Sequence, residues 1–354
     1  MADDNYLHAA FPRLCERLPR IGLASLPTPV EQRVVDLESG SRRLAIKYDN
    51  LSGRIYGGNK IRKLEYIFAR AKSKQCERIA TFGAAGSNHA LATALYAKEA
   101  GFECTCFLSH QAKSPLVAET LNKHLEIGTE LVRYGGAYTK RLATLRKYLQ
   151  NRNAWVIPMG GSSWLGTVGF VAAGLELVSQ IEHGYVELPD RIYVGSGTMG
   201  TAIGIALGLA IAGCRTEVHA VRVSAAAIAN EARLRRLLDK TAAMMRHYDP
   251  SVPVELAATA RIRLRNEFFG PGYAQGTPAT LEAIRFANEV LDLELEQTYT
   301  GKAMQALLKD RREADAENRS VLYWHTYNSV PLNVPTDECV DRDALPGEFL
   351  RYFE

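Results

Sequence analysis

Two short glycine-rich segments carry the side chains best suited to chemistry. Gly57-Gly58-Asn59-Lys60 sets a lysine behind two glycines and an asparagine, where backbone must approach something closely. Gly86-Ser87-Asn88-His89 brings a hydroxyl, an amide and an imidazole to what reads as a strand-to-helix turn. An amine that condenses with an aldehyde, a hydroxyl that can meet a carboxylate or carry a proton, and an amide that can bond a ring oxygen suggest aldehyde-cofactor chemistry. The cofactor to which they point is pyridoxal phosphate. Each has a plainer reading as well: a surface charge for Lys60, a helix N-cap for Ser87-Asn88, a structural or supporting ring for His89.

A third segment, Val194-Gly195-Ser196-Gly197-Thr198-Met199-Gly200, is a literal GxGxxG between a strand and a helix. An NAD-dependent oxidoreductase would use it as a dinucleotide fingerprint, but that needs an acidic residue at the end of the next strand. The next strand, Glu217 to Val223, ends in Arg222, Val223 and Ser224, with its glutamate at the wrong end. The same backbone N–H groups and helix N-terminus suit a single phosphate, with Ser196, Thr198 and Thr201 adding hydroxyls. Gly195 to Thr201 is therefore read as a phosphate cup, the alternative being a merely tight turn.

The elements that must position these residues alternate. Strand-like segments at Arg43–Tyr48, Arg78–Phe82, Phe102–Ser109, Glu130–Arg133, Trp155–Pro158, Arg191–Val194, Glu217–Val223 and Val321–Trp324 are separated by helical stretches. Helices are expected at Ile61–Lys72, Asn88–Ala100, Pro115–Ile127, Thr139–Gln150, Gly166–Ile181, Thr201–Ala212, Ala225–His247 and Thr280–Leu291. Such alternation predicts parallel strands covered by helices, a three-layer α/β architecture. The predicted ligand site is a cleft between two such blocks, at the carboxyl edges of the strands. Tyr299-Thr300-Gly301-Lys302 opens a further helix, Tyr273 lies in a Gly-Pro-Gly loop, and Thr326 follows the last strand. The expected solvated face of the Ile61 helix includes Lys63 and Glu65.

Composition limits the remaining classes. With 354 residues, 47% of them apolar and 23% charged, the chain reads as a soluble globular protein of one large or two intimately joined domains. The net charge of +4 is weak, and Arg233-Leu234-Arg235-Arg236 reads as one helix face, so no nucleic-acid partner is expected. The apolar stretch from Thr201 to Gly213 is too short and glycine-rich for a bilayer, the acidic Met1–Asn5 is unlike a signal peptide, and the scattered cysteines fit free thiols. A cytoplasmic protein without membrane or metal is expected.

On these residues the chain resembles the 1-aminocyclopropane-1-carboxylate deaminase and D-cysteine desulfhydrase family, from Leu26-Pro27-Thr28-Pro29 to His325-Thr326. The most specific piece is Gly57-Gly58-Asn59-Lys60-Ile61-Arg62-Lys63-Leu64-Glu65. The resemblance implies a tryptophan-synthase-β-like α/β fold (pyridoxal-phosphate fold type II) of two three-layer open-sheet domains: 1–60 with 174–354 for the cofactor, and 61–173. It places the cofactor on Lys60, with Asn59, Asn88, Gly195 to Thr201, Tyr299 and Thr326 around it. Ser87, Tyr273 and Tyr299 join Lys60 as catalytic candidates. Thr300 and Thr326 are similar to the desulfhydrases, where the deaminases carry Glu and Leu, and an uncharged hydroxyl at the ring nitrogen makes a weaker electron sink. That implies α,β-elimination of a small amino acid such as D-cysteine, in a homodimer. The alternatives are a 1-aminocyclopropane-1-carboxylate deaminase and a non-catalytic binder. The sequence also departs from the family, at positions most of which are expected to line or support the substrate pocket: Gly86 where the family has Gln, Leu91 for Arg, Ser163-Trp164 after Ser162, and Tyr327-Asn328 for Gly-Gly.

Overall fold

The computed structural model describes residues 6–37, 40–135, 138–150, 152–312, 319–332 and 342–354. The acidic residues 1–5 lie outside them. Among the described residues the strands are β1 (Val30–Leu37), β2 (Gly40–Tyr48), β3 (Arg78–Ala84), β4 (Glu103–Ser109), β5 (Glu130–Arg133), β6 (Ala154–Ile157), β7 (Arg191–Ser196), β8 (Glu217–Arg222), β9 (Ile262–Arg265) and β10 (Val321–His325). They form two open sheets, in the orders β1-β2-β10-β7-β8-β9 and β5-β4-β3-β6. Every pairing is parallel except β1 with β2. The second sheet is built from chain that lies between β2 and β7 in sequence. Loops leaving the carboxyl ends of β3, β4, β7 and β10 therefore meet at one cleft, the edge at which open α/β sheets bind ligands.

The helices follow the apolar periodicity and their caps. Asn88–Glu99 starts where Ser87 Oγ accepts the Ala90 N–H at 3.3 Å. Trp164–Glu182 starts at Ser163, whose Oγ accepts the Gly166 N–H at 3.2 Å. The helix expected from Ala225 begins instead at Glu231, because the Asn230 side chain caps it by accepting the Arg233 N–H at 3.0 Å. That leaves residues 225–230 as a turn beside the cleft. Trp164–Glu182 is long and apolar enough to cross a membrane, but 67% of its apolar window is buried in the protein, and it packs between Ile61–Ser73 and Gly200–Ile211. A Cβ at Gly208 would stand 2.5 Å from the Val171 carbonyl, so only glycine permits that crossing. Cys104 and Cys106 share a face of β4, as their alternation predicts, with free thiols 3.9 Å apart.

A buried ionic cluster ties the Ile61–Ser73 helix to the larger sheet. Arg62 donates from Nε and Nη2 to Asp49 Oδ1 at 3.0 and 2.8 Å, and from Nη1 to Glu176 Oε2 at 2.9 Å. Lys47 on β2 donates to Glu176, to Gln180 Oε1 at 2.7 Å and to the Thr28 carbonyl at 2.7 Å. Trp324 Nε1 on β10 donates to Asp49 Oδ2 at 2.8 Å. Burial pushes the Glu176 carboxyl up, but Arg62 and Lys47 outweigh it and hold it at about 2. The expected solvated face of this helix is buried too: Glu65 accepts the Leu23 and Ala24 N–H groups, each at 2.9 Å. Removing one partner of such a cluster strands a buried charge, at a cost of about 3–5 kcal/mol. Glu176→Ala is therefore expected to lower the unfolding free energy by about that amount in urea titration; an unchanged midpoint would show that the cluster contributes nothing.

Candidate active site

The cleft between the sheets has a volume of about 400 Å³, the size of a small-molecule site. Its lining includes Asn59, Lys60, Ser87, Asn88, every residue from Gly195 to Thr201, Tyr273, Tyr299 and Thr326. All the residues singled out as cofactor or catalytic candidates thus come to one place from six separate stretches of chain. Among the described residues there is no group of three or more side chains fit to hold a metal ion.

The lysine turn is built by its glycines. Gly58 has φ +87°, and a Cβ there would stand 2.8 Å from the Thr326 carbonyl, so the turn lies directly on the end of β10. Asn59 N–H donates to that carbonyl at 3.1 Å, and Asn59 Nδ2 donates to Thr201 Oγ1 at 3.0 Å. Lys60 Nζ donates to Asn59 Oδ1 at 2.8 Å and lies 5.7 Å from the centre of the Tyr299 ring. Burial lowers the Lys60 amine to about 8, against a smaller upward pull from Glu296. About a tenth of that amine is then neutral, and so nucleophilic, at pH 7.

Opposite it, Met199 caps the Gly200–Ile211 helix with φ 63° and ψ −12°, a strained left-handed backbone for a non-glycine residue of the kind that ligand clamps retain. A Cβ at Gly197 would lie 2.9 Å from the Tyr299 hydroxyl, which explains a glycine at that closest approach. Ser224 Oγ, past β8, donates to the Gly197 carbonyl at 2.7 Å. Ser196 Oγ is buried without a hydrogen-bond partner. An unsatisfied hydroxyl inside a loop at a twelve-residue helix's N-terminus fits a phosphate group.

The tyrosines meet edge to face, Tyr273 and Tyr299 ring centres 6.2 Å apart at 87°. Burial, reinforced by Tyr273, pushes the Tyr299 hydroxyl well up, which keeps it a proton donor. Lys302 Nζ donates to the Phe269 carbonyl and, at 3.1 Å, to that of Gly272, pinning the loop that carries Tyr273. Thr300 departs from the expected placement. It is buried behind the wall, its hydroxyl turned to Glu296, and it is not among the lining residues. The Glu296 carboxylate lines the cleft instead, accepting the Thr298, Tyr299 and Thr300 N–H groups at 2.6, 2.8 and 2.8 Å. Nothing in the local sequence marks Glu296 beyond its place ahead of a helix start, where a carboxylate can accept orphan N–H groups.

Lys63 is the other correction. It is buried in the same cleft, with Nζ donating to the Gly160 carbonyl at 3.1 Å and to Ser162 Oγ at 3.2 Å. Residues three apart share a helix face, so Lys63 follows Lys60 inward, a spacing legible in the sequence. Burial, then the neighbouring Lys60, lowers its amine well below the ordinary lysine value. His89 is likewise buried and pushed well down by burial and then by Lys60 and Lys63; its Nε2 lies 2.9 Å from Thr81 Oγ1. The departures expected at the pocket divide: Leu91 is in the core and Trp164 stacks on Tyr248, neither among the lining residues, whereas Tyr327 and Asn328 line the cleft. Asn328 Oδ1 accepts the Gly57 N–H at 2.5 Å and the Val330 N–H at 3.0 Å, bracing the lysine turn, while Tyr327 lines the cleft. Tyr56 also lines it and donates to Asn88 Oδ1 at 3.1 Å. Gly86 N–H donates to Gln111 Oε1 at 3.0 Å, bringing in a loop that no sequence signal marked.

A lowered lysine amine, an unsatisfied hydroxyl in a phosphate-sized loop and an aromatic ring between them suit pyridoxal phosphate. Comparison with known proteins agrees. The model of the family described as pyridoxal-phosphate dependent enzyme matches residues 21–326. D-cysteine desulfhydrase of Salmonella typhi is 31% identical over 327 residues, covering 89% of this chain and 96% of that protein. A solved structure described as an ACC deaminase homologue matches with TM-score 0.73 and 27% identity, over 92% of this chain and 95% of that one. The structure of maize serine racemase, at 17% identity and TM-score 0.57 over 94% of each chain, shares the fold. With a matching family model over most of its length and this arrangement around Lys60, the chain belongs to the pyridoxal-phosphate-dependent enzymes.

Proposed function

We propose that this protein catalyses α,β-elimination of D-cysteine, or of a closely similar β-substituted amino acid. With water, D-cysteine then gives pyruvate, ammonia and hydrogen sulfide. The observation that carries the reading is the Lys60 amine, lowered by desolvation and sharing one cleft with the Ser87 cap and the Gly195–Thr201 loop. The likeness to D-cysteine desulfhydrases, over nine-tenths of the chain, supports the substrate. Two lobes, 1–60 with 174–354 and 61–173, form the working unit, and the resemblance supports a cytoplasmic homodimer.

Each residue has a task that its geometry supports. Gly195, Ser196, Gly197, Thr198, Met199, Gly200 and Thr201 would hold the cofactor phosphate, and Lys60 would be the residue that carries the cofactor. Asn59, Asn88, Tyr299 and Thr326 surround the ring. When bound, the cofactor supplies an electron sink for the carbanion formed at the substrate Cα. Ser87 Oγ accepts the Ala90 N–H, which leaves its own hydrogen for the substrate carboxylate. The Lys60 amine, when free, would take the α-proton of the substrate. The Tyr299 hydroxyl, kept protonated, and Tyr273 beside it donate to the departing sulfur.

A second reading, 1-aminocyclopropane-1-carboxylate deaminase, draws on one observation, the Glu296 carboxylate in the cleft wall where a hydroxyl was expected. Product analysis separates the two: sulfide and pyruvate from D-cysteine for elimination, 2-oxobutyrate from the cyclopropane substrate for the deaminase. Equal failure with both would overturn the first reading and the second together.

Two further outcomes follow from Lys60. Lys60→Ala is expected to lose covalent cofactor attachment and to lower turnover by about a thousandfold or more; full turnover in that variant would contradict its role. Uptake of pyridoxal phosphate by the apoprotein needs the neutral amine. Because burial lowers that amine to about 8, the uptake rate is expected to rise from pH 6 and level off above about pH 9. A rate still climbing past pH 10 would mean that Lys60 titrates like an exposed lysine.

A further inference from the structure

Gln111 lies in the loop after β4, next to the start of the Asn88–Glu99 helix. Its side-chain oxygen accepts the Gly86 N–H at 3.0 Å, one residue before the Ser87 cap. With the oxygen so engaged, the other end of the amide sits over Gly86: a Cβ there would fall 2.9 Å from Gln111 Nε2. Among the described residues no acceptor meets the two Nε2 hydrogens, and Gln111 lines the cleft together with Ser87 and Asn88. Unpartnered amide donors facing a cleft suit a carboxylate oxygen.

The loop is held from behind by the segment Gly347–Tyr352. The Tyr352 hydroxyl accepts the Gln111 N–H at 3.0 Å, and its own hydrogen has the Gln111 carbonyl at 3.1 Å and His110 Nδ1 at 3.1 Å as acceptors. Tyr352 and Phe349 are both buried and both pack against the His110 ring.

We propose that Gln111 is a substrate-specificity residue, donating from Nε2 to the carboxylate of the amino-acid substrate beside Ser87, and that Tyr352 is the positioning residue that holds it there. The proposal rests on the amino-acid-lyase reading of the cleft. Gly86 is the other half of the arrangement, because a side chain at 86 and the Gln111 amide compete for one space. Gly86 is not in a left-handed conformation, so its backbone accepts a side chain once Gln111 is cleared and Val117 Cγ2, 3.1 Å from such a Cβ, gives by a few tenths of an ångström.

The test is a titration of the holoenzyme with D-alanine, a carboxylate-bearing amino acid with no β-leaving group, followed by the visible absorption of the bound cofactor. Gln111→Ala is expected to raise the half-saturating concentration about tenfold, the loss of one hydrogen bond to a charged group. Gly86→Gln is expected to raise it too, by crowding Gln111. The double variant G86Q/Q111A is expected to return to within about threefold of wild type, since an amide again reaches the space from position 86. Tyr352→Phe is expected to raise the KM for D-cysteine while changing kcat by less than about twofold, the signature of lost positioning for binding. Wild-type half-saturation in Gln111→Ala with its cofactor band intact, or a double variant no better than either single one, would overturn the proposal. A wild-type protein that takes up no cofactor would instead sink the lyase reading and this proposal with it, whereas a band that ignores D-alanine while D-cysteine still yields sulfide would overturn this proposal alone.

Discussion

The position of Lys60 depends on a buried cluster that does no chemistry. Asp49 is its hub: the carboxylate takes Arg62 from the helix after the lysine, Thr28 from the segment before β1, and Trp324 from β10. Its backbone carbonyl accepts the Gly58 N–H at 2.9 Å, inside the lysine turn itself. One residue thereby holds both sides of Lys60 and the strand that leads to Thr326. Two cations, Lys47 and Arg62, face two anions, Asp49 and Glu176, so the cluster is neutral and every charge has a partner. Buried pairs of this kind add little net stability over an apolar core, but they fail badly if half-made, and so they enforce one geometry.

The second constraint is electrostatic. Lys60, Lys63 and the His89 ring share a buried region, and all three are pushed toward their neutral forms mainly by burial. Lys63 and His89 are pushed further by charge on their amine neighbours. A charge on one of them makes charging its neighbours costlier, so the three do not readily ionise together. The consequence is a cleft able to present a free amine near neutral pH, with the phosphate-sized loop and its helix N-terminus opposite to receive an anion. Glu296 enters the same wall held by three backbone N–H groups, so its carboxylate is fixed before any ligand arrives.

The sequence was most legible where a local rule and the tertiary demand coincide. The Ile61–Ser73 helix, the strand–loop–helix of the phosphate cup and the Ser87 cap could be read from periodicity, glycine spacing and capping residues, and the cleft collects all of them. β1 was missed because Val30–Leu37 mixes charged residues into an edge strand, with Val34 70% exposed and no buried run to mark it. The helix at Glu231 was drawn too early because Ala225 to Ala229 reads as helical until Asn230 is recognised as its cap. Lys63 and Glu65 looked like a solvated face because charge alone suggested water, whereas Lys63 turns to Gly160 and Ser162 in the cleft and Glu65 to the backbone of Leu23 and Ala24. Gln111 and Glu296 could not be found locally. Gln111 meets Gly86 only because β4 lies beside β3, and strand order is a property of the whole sheet.

The central claim is that Lys60, and not its buried neighbour three residues on, is the amine that carries the cofactor. Borohydride reduction of the holoenzyme, followed by peptide fragmentation and mass analysis, tests it directly. The account predicts a pyridoxyl-phosphate mass increment confined to Lys60, with Lys63 unmodified and still hydrogen-bonded to the Gly160 and Ser162 side of the cleft. An increment on Lys63, or none on either lysine, would contradict it.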